Sequence, residues 1–412
     1  MSTSNSDWAE RGRHSWMGGA VRPDLCLVRG KGSRVWDSEG REYLDFVGGW
    51  AVCALGHAPA AVSRALADQS SLLLHCSPGF WNPTAVELAE KLTRMTGYER
   101  VFLGCTGAEA NECAIKLARK KGAPRDAAKV VCAWDGFHGR TLATMAATGK
   151  PAWRNLFGPE MPGFVHIPYN DAQALHDAVG RDTCAVVFEP ILGEGGVVAA
   201  TPEFARAARD ACDRTGALLV LDEVQTGLGR CGEMLFHRTL GIRADIATLA
   251  KGLGAGFPVS ACLTDSVNDA FAPGDQGGTH TYHPLGAAVG LAVLGELEER
   301  DLPGAARRAG RALDSMLHSI AHRHGLSRIR GAGLLRAFDL PHPSATRLVD
   351  AAREEGLLLN APKASSIRLM PPLTVSDADL EEFGIRLDKA LDRVRGADVS
   401  GAKTGPEIPE PI

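Results

Sequence analysis

The chain predicts an α/β protein in which a large domain, with a mostly parallel central sheet flanked by helices, carries a smaller α+β domain. Three observations support this. Between Val101 and Thr264, apolar runs of strand length alternate with helical stretches, the pattern of a parallel sheet connected through helices. Runs such as Ala217 to Val224 and Cys184 to Glu189 are continuously apolar, as strands covered on both faces must be. The chain has 412 residues, 45% hydrophobic and 23% charged, enough for one large core and a smaller one. Residues 13–46 and 306–396 are expected to form the small domain and 47–305 the large one, with disordered tails at 1–12 and 397–412.

A formal net charge of −4 with 13 histidines gives no polyelectrolyte character, which argues against a nucleic-acid partner. The ten cysteines form no CxxC pair, and most lie in apolar runs such as Val130-Val131-Cys132. That is the usage of small core residues in a reducing compartment rather than a disulfide framework or a zinc site. The stretch MSTSNSDWAERGRHSW has no apolar targeting core, and no run approaches about 18 apolar residues. A cytoplasmic protein with no membrane partner is expected.

In chain order, residues 1 to 12 are polar and read as a frayed end. Leu25 to Phe46 reads as short strands joined by turns at Gly30-Lys31-Gly32 and Ser38-Glu39-Gly40. Helices are expected over Pro59 to Ser71 and Thr84 to Met95, interrupted by a loop holding Phe80 and Trp81, which either line a pocket entrance or simply anchor the loop. Val101 to Gly104 is a strand, and Cys105-Thr106-Gly107-Ala108 turns it into a helix. The free N–H groups and positive dipole end of such a helix can bind an anion, although many such junctions bind nothing. Further strands are expected at Lys129 to Trp134, Val165 to Tyr169, Cys184 to Glu189, Ala217 to Val224, Ile246 to Ala250 and Val259 to Thr264. Long helices at Leu285 to Arg300 and Gly304 to His324 lead to strands at Leu357 to Asn360 and Ile367 to Met370. From Gly396 onward the chain is Gly/Pro-rich and reads as disordered.

The chemistry is concentrated in ALLVLDEVQTGLGRCGEMLFHRTLGIRADIATLAKGLGAGFP, from Ala217 to Pro258. Open α/β sheets bind ligands at the C-terminal ends of their strands, and Asp222 stands at one such end. Lys251 leaves the next strand into the turn Gly252-Leu253-Gly254-Ala255-Gly256. An ammonium held near apolar surface loses part of its preference for the charged form and can form a Schiff base with an aldehyde. Pyridoxal phosphate asks a protein for an amine, a carboxylate at its ring nitrogen and a cradle for its phosphate, and the first two are offered here. Taken singly, Asp222-Glu223 also reads as a strand-end pair and Lys251 as a surface loop residue.

The order DEVQTGLGR then AKGLGAGFP resembles the class III (omega) aminotransferases, fold-type I enzymes dependent on pyridoxal 5'-phosphate, and the similarity extends over nearly the whole chain. The resemblance implies that Lys251 holds the cofactor's aldehyde and Asp222 its ring nitrogen. It implies a phosphate loop at Thr106, Gly107 and Ala108, where many relatives read NSGTEANE, so that Cys105 and Ala108 are departures. It further implies Phe137 and Val224 on opposite ring faces, His138 orienting the site, Gln225 at the ring hydroxyl and Glu189 in the cofactor-side network. Thr279 is implied as a reach across a homodimer interface to the partner's phosphate, with Thr281 the alternative. On the substrate side, FHGRT is similar to the acetylornithine and ornithine branch, which places Arg140 on a carboxylate; by itself Arg140 could equally be a surface ion pair. SIRLMPPL implies a second carboxylate site at Arg368, EPILGEGG a gate at Glu194, and the Trp50 segment a pocket wall, where a core aromatic is the ordinary alternative. A guanidinium meets a carboxylate through two parallel hydrogen bonds, so two arginines suit glutamate and 2-oxoglutarate. His280 and His283 share helical metal-ligand spacing, but no third ligand or suitable motif stands nearby, so no metal is expected. The expected activity is transfer of an amino group between an ω-amino acid of acetylornithine type and 2-oxoglutarate. The alternatives are a donor from a specialised biosynthetic route, a decarboxylating dialkylglycine-type relative and a catalytically silent protein of this fold. A nicotinamide dehydrogenase is disfavoured, because no G-x-G-x-x-G follows the first core strand.

Overall fold

The structure, a computed structural model, describes residues 3–154 and 156–399. Two compact units result: Ala60–Gly304, and a second made from both chain ends, up to Pro59 and from Ala305 onward.

The larger unit is built on seven strands: β1 (Arg100–Gly104), β2 (Lys129–Ala133), β3 (Phe164–Ile167), β4 (Thr183–Phe188), β5 (Leu218–Asp222), β6 (Ile246–Leu249) and β7 (Ser260–Thr264). They lie in the order β1-β7-β6-β5-β4-β2-β3. Only β7 runs against the rest, pairing antiparallel with both β6 and β1. Side chains alternate across a strand, and here both alternate sets are apolar. Val130, Cys132, Ala185, Val187, Leu218 and Val220 pack with Cys113, Ala114 and Leu117 of the helix Gly107–Gly122. Val131, Ala133, Val186, Phe188, Leu219 and Leu221 pack on the opposite face with Leu175, Phe204, Ala208 and Cys212. Six of the ten cysteines are buried and none is in a disulfide.

The unit of chain ends contains two four-stranded sheets. One joins Leu27–Lys31, Arg34–Asp37 and Glu42–Asp45 to Leu357–Leu358, and the other joins Ser327–Ala332, Leu335–Asp339, Ser366–Leu369 and Asn360–Lys363. The stretch expected as one strand from Leu357 is therefore divided between two sheets. Phe46 and Phe383 stack at 4.2 Å. Residues 47–59 belong to this unit rather than to a large domain starting at residue 47. Backbone bonds hold them there: Leu373 N–H donates to Ala54 O at 2.8 Å, and Gly32 and His57 exchange bonds of 3.0 and 2.8 Å.

The polar start of the chain, expected to be frayed to residue 12, instead forms the helix Asn5–Ser15. Ser4 and Asp7 form a capping box, which satisfies two first-turn donors. The Asn5 side chain ties the helix down, donating to Asp37 at 3.0 Å and accepting from Cys26 N–H at 2.9 Å. At the other end the helix Asp377–Val399 extends past the expected boundary at 396, and the rest of the expected tail, 400–412, lies outside the described residues.

Candidate active site

The parallel strands release their chemistry at their C-terminal ends. Asp222 ends β5, in register with Thr248 of β6, and Lys251 follows that strand by two residues. Asp222 is 3% exposed, and donors surround its carboxylate. Oδ2 accepts from Asn111 Nδ2 at 2.7 Å and His138 Nδ1 at 2.8 Å, while Oδ1 accepts from Val224 N–H at 3.0 Å and Thr248 Oγ1 at 3.4 Å. Thr248 Oγ1 also donates to Asn111 Oδ1 at 2.8 Å. Neither Asn111 nor Thr248 stands out in the sequence. Asn111 sits one helical turn inside the TGAEANE junction, on the buried face of the helix, and that position is the one signal that could have found it.

Burial works against a charged His138, but its hydrogen bond to Asp222 and that carboxylate's charge outweigh it and hold the imidazole pKa above the ordinary value. Its Nε2 is buried with no hydrogen-bond partner among the described residues. Glu189, also buried, accepts from Phe137 N–H at 3.0 Å and Gly193 N–H at 3.1 Å. Burial first and the Asp222 charge second push its carboxyl up to about 7.

Lys251 is half-buried in a short 3-10 turn with φ 38°, flanked by the buried Ala250 and Leu253. Gly107 opens the helix after β1 at the same end of the sheet. A Cβ there would lie 3.1 and 3.2 Å from the Val224 methyls and 3.6 Å from Ala250 Cβ. The glycine therefore lets the helix terminus approach the ends of β5 and β6. Thr106 caps this helix, its hydroxyl accepting from Glu109 N–H at 3.2 Å, and Glu109 Oε2 takes the N–H groups of Cys105 and Thr106. The N–H groups of Gly107 and Ala108 enter no hydrogen bond among the described residues. They face outward at the positive end of the helix, which is how an anion is held.

Phe137 is partly buried and meets Trp153 edge-on at 6.0 Å. Arg140 is exposed with its guanidinium 5.3 Å from the same indole. Gln225 is buried against Gly193, and Glu194 is half-buried in the turn that follows. Thr279 is exposed and its carbonyl accepts from His75 Nε2 at 2.6 Å, whereas Thr281 is buried with its hydroxyl bonded to Gly278 O at 2.8 Å. Thr279 is thus the outward hydroxyl of that loop. Among the described residues no group of three or more His, Cys, Asp or Glu side chains is placed to hold a metal ion.

Trp50 and Arg368 belong to the unit of chain ends. Trp50 is 57% exposed, and Arg368 is fully buried with Nε and Nη2 donating to Asn360 Oδ1 at 2.9 and 2.7 Å.

Pyridoxal phosphate fits the larger unit. Two N–H groups stand ready for a phosphate, Gly107 clears the approach, and a carboxylate braced by four donors stands beside an unpartnered imidazole nitrogen. Residues 18–391 match the family described as aminotransferase class-III. The chain is 45% identical over 380 residues to acetylornithine aminotransferase 2 of Bordetella bronchiseptica, covering 91% of this chain and 96% of that protein. With acetylornithine aminotransferase of Streptomyces coelicolor it shares 42% over 407 residues, 97% of this chain and all of the other. A solved ornithine aminotransferase of Toxoplasma gondii, described with partially occupied PLP at its active site, superposes with a TM-score of 0.90 at 33% identity, covering 96% of each chain. Motifs, sheet order and a match running through both units lead to one conclusion: the chain belongs to the class III aminotransferases, which are pyridoxal phosphate-dependent transaminases.

Proposed function

We propose that this enzyme moves an amino group between an ω-amino acid of acetylornithine type and 2-oxoglutarate, working as a cytoplasmic homodimer. The observation that carries the substrate reading is Arg140, seated on the Trp153 indole beside Phe137, in a chain similar over nearly its full length to acetylornithine aminotransferases. A guanidinium positioned there suits the carboxylate of a substrate. Arg368 is proposed for a second carboxylate of the substrate and Glu194 for a gate on the substrate side. For localisation, no helix of the described residues is long and apolar enough to cross a membrane.

When bound, pyridoxal phosphate supplies an aldehyde that captures the donor amine and a ring that accepts the electrons left by deprotonation. The rest falls to this chain. Lys251 would hold the aldehyde and, as the free amine, would be the group that takes the proton from the substrate carbon. Asp222 keeps a proton at the ring nitrogen, and its four donors keep it from turning away. Gly107 and Ala108 hold the phosphate, Thr106 shapes that turn, Phe137 and Val224 hold the ring between them, and Gln225 takes the ring hydroxyl. Glu189 and His138 fix the backbone and the carboxylate behind.

The test is glutamate formation from 2-oxoglutarate with a panel of ω-amines including N-acetylornithine. Turnover with N-acetylornithine, abolished by Lys251→Ala, is expected. Glutamate from none of the panel would overturn the reading, and turnover confined to bulky amines would favour a specialised biosynthetic donor.

A further inference from the structure

We propose that His75 is the positioning residue for Thr279, fixing the backbone from which that hydroxyl reaches the partner's phosphate; the inference rests on the role proposed for Thr279. His75 Nε2 lies 2.6 Å from Thr279 O, across 204 positions of sequence. A carbonyl can only accept, so Nε2 carries the proton. On the other side of the ring Nδ1 accepts from Ser77 N–H at 3.2 Å, so that nitrogen carries none. The two partners together select one neutral tautomer and aim its single N–H at the loop.

The imidazole is itself held in place. Ser77 has φ 64°, and Gly79 N–H donates to Ser77 Oγ at 3.2 Å, a left-handed turn that folds residues 75–79 back on themselves. The rings of His280 and His283 flank His75, with centroids 5.3 and 5.7 Å away.

The rest of the loop has other anchors. Asn82 Nδ2 donates to Tyr282 O at 3.0 Å, Tyr282 N–H donates to Leu103 O at 3.3 Å, and Cys105 Sγ–H donates to His280 O at 3.6 Å. Thr281 is bonded within the loop, its N–H and hydroxyl both reaching Gly278 O, at 3.1 and 2.8 Å. Thr279 shares none of these. Among the described residues, the bond from His75 is the one hydrogen bond that reaches it. Without that bond the peptide at Thr279 can rotate while residues 280–282 stay in place, and the hydroxyl loses its direction. A hydroxyl aimed in advance loses less conformational freedom when a phosphate arrives, and so binds it more tightly.

The test is a double-mutant cycle read as the dissociation constant of pyridoxal phosphate, titrated by absorbance into the full-length apo-dimer, with dimer content checked by sedimentation. His75→Leu keeps bulk against the neighbouring rings and removes the donor. It is expected to weaken binding about threefold to tenfold, the range of one neutral hydrogen bond. His75→Gln, whose amide offers an N–H near the position of Nε2, should restore most of the affinity. In a Thr279→Ala background His75→Leu should have no further effect, because there is no hydroxyl left to position. Equal weakening in both backgrounds would overturn the inference and assign His75 to the fold alone, and so would wild-type affinity in His75→Leu. Loss of the dimer in both His75→Leu and His75→Ala would overturn it too, assigning the residue to assembly. If Thr279→Ala itself binds pyridoxal phosphate as the wild type does, it is the role of Thr279 that fails, and this inference with it.

Discussion

Asp222 is a single carboxylate, and what makes it dependable is Asn111. That amide donates to Asp222, donates to the His138 carbonyl at 2.8 Å and accepts from Thr248, so one buried side chain joins the helix after β1, the β2 loop and β6. Truncation to Ala would take a partner from three buried polar groups at once, and of these Asp222 and Thr248 keep a bond to each other. Because each unsatisfied group costs about 1–3 kcal/mol, Asn111→Ala is expected to lose at least that much stability by thermal or denaturant unfolding. It should also lower kcat at saturating cofactor, since Asp222 loses one of its two strongest donors. A variant with unchanged melting temperature and kcat would show that the remaining donors suffice. Lys251 and Asp222 are legible in the sequence because each terminates its own apolar strand run. Asn111 is not, because its importance depends on residues 27 and 111 positions away, and no local pattern reports such a meeting.

Among the elements, the least ordinary is the turn at Gly48–Ala51. Its four residues have φ of 55°, 61°, 59° and 69°, one turn of left-handed conformation that costs about 1–2 kcal/mol at each non-glycine residue. Asp45 helps offset this: its Oδ1 accepts from Val47 and Gly48 N–H at 2.8 and 3.0 Å. The paired glycines announce a turn, but the positive φ of Trp50 and Ala51 has no sequence signal, and the side chain of Trp50 is more than half exposed, unlike the core aromatic that is the ordinary alternative to a pocket wall. The N-terminal helix is hard to read for a related reason: it has no buried residue, so apolar periodicity is silent there and only the Ser-x-x-Asp cap marks it. Asp45 Oδ2 in turn accepts from His57 Nε2 at 2.7 Å. That bond, then the contact with the Cys53 thiol, pushes the imidazole pKa up to about 10 from an ordinary 6.5. A raised folded pKa adds stability that is fully present below the unfolded value and is lost as pH rises through the folded one. The stability gap between the wild type and His57→Asn should therefore be widest below about pH 6.5 and close progressively toward pH 10. Denaturant midpoints across that range measure it, and a gap that widened with pH would refute the charged-pair account.

At the scale of the whole molecule, the chain folds its middle into one unit and brings its two ends together in the other, as the parallel pairing of Glu42–Asp45 with Leu357–Leu358 requires. Alternating apolar runs make the first unit legible; the second depends on pairings more than 300 residues apart in sequence, and its boundary at Pro59 could not be read locally. Thr279 is the residue proposed to complete a site shared by two chains. Its side chain is exposed, while the neighbouring Thr281 hydroxyl is spent within its own turn, so of the two it is Thr279 that can reach beyond the chain. If it meets the partner's phosphate, each site takes its lysine from one chain and this hydroxyl from the other. Thr279→Ala should then weaken cofactor binding, by about 1.5–3 kcal/mol for a hydrogen bond to a charged group, and Lys251→Ala should be inactive. A mixed dimer of the two variants would contain one site lacking both groups and one lacking neither. At limiting pyridoxal phosphate, dissociating and reassociating the two variants together should raise activity above that of either parent, with the recovered sites showing wild-type cofactor affinity. Were Thr279 to serve its own chain, every lysine-bearing site in the mixture would still lack the hydroxyl, and recovered activity would show the weakened affinity throughout.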